Sequence, residues 1–130
     1  MADLLLVDND ARIVELVALF LERRGHRVRR ATSYRAAREA IAEQRPDLML
    51  ADVELGAEHG GEELPALARA GLLPPTLVVS GYLDRALEEA LGALPGIVGV
   101  LKKPFGVSDL EARIASALAR ATQAERGGTV

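Results

Sequence analysis

The chain of 130 residues contains no cysteine. That excludes disulfide bonds and thiolate metal sites. Aromatic residues make up only 3%, so the core has to be built from Leu, Val, Ile and Ala. A basic excess is also missing: the net charge is −3 and the pI about 5.4. This argues against nucleic-acid binding by charge alone. The longest apolar run, Leu16 to Leu21, is far too short to span a bilayer, and nothing at the N-terminus resembles a signal peptide. There is no internal repeat, linker or low-complexity segment. The expectation is one cytoplasmic domain with no membrane partner.

Hydrophobic residues are 49% and charged residues 27%, ordinary for a soluble globular protein. The organising stretch is Pro46-Asp47-Leu48-Met49-Leu50-Ala51-Asp52, a short apolar run ending abruptly in a carboxylate. It reads as a buried strand. In an open parallel sheet such a strand delivers its last residue to the crevice beyond its C-terminal end.

The same grammar recurs along the chain. Leu4 to Val7 is a first central strand ending in Asp8-Asn9-Asp10. Ile13, Leu16, Val17 and Phe20 follow a helical period, with Asp10 as N-cap and Gly25 as stop. Arg27 to Ala31 is a polar strand whose arginines suit a sheet edge. Ser33 caps a second helix through Gln44, with Ala37, Ala40 and Ile41 facing in. Glu54 to Gly61 is a loop rich in Gly and Glu. A third helix starts near Gly60 or Gly61, with Pro65 expected in its first turn. Leu77 to Val79 is a fourth buried strand, ending in Ser80-Gly81. Asp84 caps a helix carrying Leu87, Leu91 and Leu94. Ile97 to Leu101 is a fifth strand, ending in Lys102-Lys103-Pro104. Ser108-Asp109-Leu110-Glu111 is a capping box, followed by an inner face of Leu110, Ile114, Ala117, Leu118 and Ala121. The domain spans residues 1–121, with 122–130 a frayed tail.

Strand-helix repeated five times predicts an α/β fold, a doubly wound parallel sheet with helices on both faces. Its C-terminal edge gathers Asp8, Asp52, Ser80 and Lys103 around one crevice. Carboxylates that hold Mg²⁺, a carboxylate nucleophile, a hydroxyl and an ammonium suit phosphoryl transfer.

With those residues in place, the chain resembles the response-regulator receiver domains, the CheY-like family of two-component signalling. The matching motifs are Leu4-Leu5-Leu6-Val7-Asp8-Asn9-Asp10, Pro46 to Asp52, Val78-Val79-Ser80-Gly81 and Leu101-Lys102-Lys103-Pro104-Phe105. The resemblance implies a flavodoxin-like (βα)5 sheet in the order 2-1-3-4-5. It implies that Asp52 accepts a phosphoryl group from a histidine kinase or histidine phosphotransfer protein. Ser80 would be the switch hydroxyl and Lys103 the phosphate contact. Asp8, Asn9, Asp52 and the Glu54 backbone carbonyl would hold Mg²⁺. Glu54 and Tyr82 would govern water's access to the phosphoryl group, and the Lys103-Pro104 bond is of a kind often cis in such domains. Output would pass to a downstream protein effector, with no direct nucleic-acid contact and no enzymatic turnover of its own.

Three positions depart from the family pattern. Asn9 replaces a second acid, Val100 replaces the usual switching aromatic, and Leu55-Gly56 replaces Met-Pro or Leu-Pro. Asn9 and Val100 favour an alternative, a phosphorylation-independent pseudo-receiver. A haloacid-dehalogenase-type phosphatase would share Asp8-Asn9-Asp10, but Arg12 and the short chain oppose it. Asp10 reads as a cap, Lys102 as a solvated neighbour, and His26 and His59 as solvated loop residues. The arginines at 23, 24, 27, 29, 30, 35 and 38 read as a solvated face with edge protection.

Overall fold

The computed structural model describes residues 2–55, 58–81 and 85–127. In chain order the elements are β1 (Asp3–Val7), α1 (Ala11–Arg23), β2 (Arg27–Ala31), α2 (Tyr34–Glu43), β3 (Leu48–Asp52), β4 (Glu54–Leu55), β5 (Glu58–His59), α3 (Gly60–Arg69), β6 (Thr76–Ser80), α4 (Arg85–Gly92), β7 (Ile97–Lys102) and α5 (Val107–Gly127). Five strands form one sheet in the order β2-β1-β3-β6-β7, every neighbouring pair parallel. Counting only these strands, this is the expected order 2-1-3-4-5.

Strand alternation splits the core into two layers. Leu4, Leu6, Leu48, Leu50, Leu77, Val79 and Leu101 pack with Val14, Ala18 and Leu21 of α1 and Leu110, Ile114 and Ala117 of α5. Leu5, Val7, Met49, Ala51 and Val78 face the opposite way, onto α2, α3 and α4 through Ala37, Ile41, Leu64, Leu67 and Leu91. Each fully buried Leu or Val contributes about 1.5–3 kcal/mol of transfer free energy. With two Phe, two Tyr and no Trp in the chain, aliphatic side chains carry this burial.

The α1 helix has the expected period with its inner stripe shifted. Val14, Ala18 and Leu21 are its buried residues, and Val17 and Phe20 pack partly buried against the same core, as expected, while Ile13 and Leu16 are 37% and 69% exposed. The segment is apolar around most of its circumference, so periodicity alone does not settle which stripe faces in.

Four further details correct the sequence reading. The segment after Asp52 is not a plain loop: β4 and β5 pair antiparallel, Glu54 opposite His59. His59 is no mere solvated residue, since its ring Nδ1 accepts the Gly61 amide at 3.0 Å and caps α3. The other histidine, His26, accepts the Ala2 amide. Pro65 lies in the second turn of α3 rather than the first. Its missing N–H would have reached Gly61, a residue whose lack of side chain eases the ring's approach. Finally, α5 begins at Val107, and the Gly106 carbonyl accepts the Leu110 amide at 3.0 Å. Ser108 therefore sits inside the first turn and is not the cap.

Arginine protects the β2 edge as expected, largely through pairing. Arg29 reaches Asp3 and donates to the Ala40 and Gln44 carbonyls at 2.7 and 2.6 Å, closing the C-terminal end of α2. Arg30 bonds Glu15 and Glu22 of α1. Arg38 pairs with Glu63 of α3, and Arg24 pairs with Glu111 of α5.

One contact fixes where α3 can start. The Gly60 amide donates to the Val53 carbonyl at 2.6 Å. A Cβ at Gly60 would lie 2.8 Å from the Val53 Cα and 3.0 Å from the Tyr34 hydroxyl. Gly60→Ala should therefore destabilise the fold by about 1–3 kcal/mol through overpacking. Urea unfolding measures this as a lower midpoint; an unchanged midpoint would mean that α3 can slide away at no cost.

Candidate functional site

The alternation that builds the core also builds the site. Asp8 continues the parity of Leu4 and Leu6, Asp52 that of Leu48 and Leu50, and Lys103 that of Leu101. All three side chains thus leave the sheet on the α1/α5 side, at its C-terminal edge. Lys103 Nζ donates to Asp52 Oδ2 at 2.7 Å and to Asp8 Oδ2 at 3.0 Å. The ammonium bridges two carboxylates whose strands are adjacent.

Each carboxylate keeps its other oxygen on a backbone amide. Asp52 Oδ1 accepts Glu54 N at 2.9 Å, and Asp8 Oδ1 accepts Asp10 N at 2.9 Å. Asp10 is a cap, as expected: its carboxylate accepts the Arg12 and Ile13 amides. Lys103 is placed by its own amide, which donates to the Ser80 carbonyl at 2.8 Å. Its peptide bond to Pro104 is cis, as the motif allowed. Lys102 is exposed, whereas Lys103 is half-buried.

The remaining sequence candidates fall nearby. Ser80 is buried at the end of β6. Asn9 is exposed, next to Asp8. Val100 is half-buried against the α2/α3/α4 layer. Tyr82 lies outside the described residues, as does the proposed cap Asp84.

Sequence reasoning missed Tyr34. It is fully buried, and its hydroxyl donates to the Asp52 backbone carbonyl at 2.7 Å. The available signal was a lone aromatic in an aromatic-poor chain, placed just past β2 on the same sheet edge as Asp52.

Beneath the carboxylates lies a small cavity of about 30 Å³, with Leu6, Val14, Leu50, Val79 and Phe105 among its lining. In that apolar setting burial pushes the Asp52 carboxyl above its ordinary range. Lys103 and the Glu54 amide pull it down without cancelling the effect, and Asp8 adds to the rise. Burial alone would lower the Lys103 ammonium; Asp52 and Asp8 more than offset this and hold it above its usual value.

Among the described residues, no group of three or more His, Cys, Asp or Glu forms a ready metal cluster. The carboxylates placed at this edge, Asp8 and Asp52, are nonetheless hard oxygen donors. That set fits Mg²⁺, which often takes one or two carboxylates and keeps waters.

The raised Asp52 pKa has a consequence for stability. Between the unfolded and folded values the folded chain holds the extra proton, so stability falls as pH rises through that window and stays lower above it. Asp52→Asn removes the charge and should raise the melting temperature at pH 7, with the gain shrinking as pH drops toward the unfolded carboxyl value of about 4. Thermal melts of both proteins between pH 4 and 7 test this; a lower melting temperature at pH 7 would show that the Lys103 contact outweighs burial.

Comparison with known proteins bears on the fold and the family. Residues 4–115 match the family model of the response regulator receiver domain. The chain is 34% identical over 120 residues to the transcriptional regulatory protein AfsQ1 of Streptomyces coelicolor, covering 92% of this chain and 52% of that protein. It is 31% identical over 117 residues to PhoP of Bacillus subtilis, the alkaline phosphatase synthesis transcriptional regulatory protein, covering 90% and 48%. It thus spans about half the length of these curated relatives. Among solved structures, NtrX from Brucella abortus superposes with a TM-score of 0.85 at 26% identity, over 98% of this chain and 29% of that one. A CheY-like receiver domain protein from Methanospirillum hungatei superposes with a TM-score of 0.82 at 25% identity, over 92% and 95%. The chain belongs to the response-regulator receiver domains of two-component signalling systems.

Proposed function

We propose that this domain is a phosphorylation switch in which Asp52 accepts a phosphoryl group from the phosphohistidine of a partner kinase or phosphotransfer protein. The observation that carries this reading is the Lys103 ammonium within hydrogen-bond reach of both Asp52 and Asp8 at the sheet's C-terminal edge. A carboxylate oxygen of Asp52 attacks phosphorus, the P–N bond breaks, and the imidazole leaves with the bonding pair and takes up a proton. The product is an acyl phosphate. Lys103 turns from the carboxylates to the new phosphoryl oxygens, where a positive charge stabilises the transferring group. The Ser80 hydroxyl then donates to the phosphoryl group and draws the end of β6 with it. Ile13 and Leu16 lie exposed on the helix that follows Asp8, giving the phosphodonor an apolar surface beside the site. The switched surface would be read by a downstream protein.

Mg²⁺ bound by Asp8, Asp52 and the Glu54 carbonyl would supply further positive charge for the phosphoryl oxygens. Asn9 contributes an amide oxygen where a carboxylate would add a full negative charge. The net cost to binding should be about 1 kcal/mol, a severalfold change in affinity, because cheaper desolvation offsets much of the lost Coulomb attraction.

Acetyl phosphate with Mg²⁺, followed by intact-mass measurement, tests the acceptor. The wild-type chain should gain one phosphoryl group and Asp52→Asn none; labelling of the asparagine variant would move the acceptor elsewhere. An unlabelled wild type would favour the pseudo-receiver reading, which Asn9 and Val100 support. For the metal, calorimetric Mg²⁺ titration should show Asn9→Asp binding severalfold tighter. Equal or weaker binding would take Asn9 away from the metal.

A further inference from the structure

We propose that Tyr34 is a positioning residue for the phosphoacceptor, holding the Asp52–Glu54 backbone in register so that the carboxylate stays aimed. This deepens the reading of Asp52 as acceptor and rests on it.

The argument begins with a missing strand partner. Along β3 the Met49 amide reaches the Pro75 carbonyl and the Val53 amide reaches the Val79 carbonyl, both toward β6. Alternation therefore turns the Asp52 carbonyl the other way, toward β1. There the ladder has already ended, its last pair being Val7 with Ala51. Asp8, the residue after β1, offers no replacement, because alternation points its amide to the other side, where it donates to Ala31 of β2. The Asp52 residue is 6% exposed, and a buried carbonyl needs a donor. The Tyr34 hydroxyl supplies it at 2.7 Å. Tyr34 enters as the first residue of α2, behind the Ser33 cap.

The neighbouring groups are held just as firmly. Val53 N donates to Val79 O, Val53 O accepts Gly60 N, and Glu54 N donates to Asp52 Oδ1. The Asp52 carbonyl is held by a side chain from another element, the Tyr34 hydroxyl of α2. Without the hydroxyl, the 52–53 peptide would rotate to find another donor. That rotation would swing the Asp52 carboxylate and the Glu54 amide that orients it. Small displacements of a nucleophile from its productive geometry lower rates disproportionately. Tyr34 touches no reacting atom, so its effect must appear as a slower rate with an unchanged acceptor.

The test compares wild type, Y34F, I41V and a chain with p-aminophenylalanine at position 34. I41V trims the same apolar layer by one methyl and controls for lost packing. Labelling rates with acetyl phosphate at saturating Mg²⁺ are measured beside thermal melts. We expect Y34F to label on Asp52 at least fivefold more slowly, I41V at the wild-type rate, and the amino variant, a weaker donor, in between. Labelling of Y34F at the wild-type rate overturns the inference and leaves the acceptor reading intact. Equal slowing in I41V also overturns it, by reducing Tyr34 to a packing residue. A wild type that does not label overturns the acceptor reading and this inference with it. Should Y34F not fold, the amino variant decides: an intermediate rate supports the inference, and a wild-type rate overturns it.

Discussion

One ammonium between two buried carboxylates governs the architecture of this edge. Lys103 joins the C-terminal end of β7 to those of β1 and β3, three strands of which two are neighbours and the third lies beyond β6. Two like charges in an apolar setting would repel each other and raise the cost of burial. With the lysine between them, the trio carries a net −1 instead of −2. Lys103 holds both partners through one ammonium, and Asp52 carries a carboxyl pushed upward by its surroundings.

Much of this was legible in the sequence because strand ends are strong signals. Short apolar runs ending in Asp8, Asp52, Ser80 and Lys103 fixed the sheet edge, and alternation alone separates Lys103 from Lys102. The strand order came from family resemblance, since the runs themselves do not say which strands are neighbours. The inner stripe of α1 was only partly legible because Ile13, Leu16 and Leu19 are as apolar as the residues that pack; all three are at least a third exposed. The α5 cap was misplaced because Ser108 to Glu111 satisfies a local pattern while the chain enters the helix two residues earlier. The β4–β5 ribbon rests on backbone pairing between residues with no strand-forming composition.

Tyr34 was missed for another reason. Its role depends on where β1 stops relative to β3, a property of two distant segments. A side chain that replaces a strand partner leaves no periodic trace. The family match favours a signalling module over a phosphatase, since receiver domains are signalling rather than catalytic.

Asp52 belongs to both layers of the core at once. Its side chain leaves the sheet on the α1/α5 side, while its backbone and that of Val53 are tethered to Tyr34 of α2 and Gly60 of α3. The sheet otherwise separates the two sides, with aliphatic side chains that alternate between them along β1, β3 and β6. The consequence is one of tolerance to substitution. A substitution that repacks α1 or α5 is felt first in one layer, and a substitution in α2, α3 or α4 first in the other. What neither side can vary freely is the three-residue backbone segment from Asp52 to Glu54 that joins them.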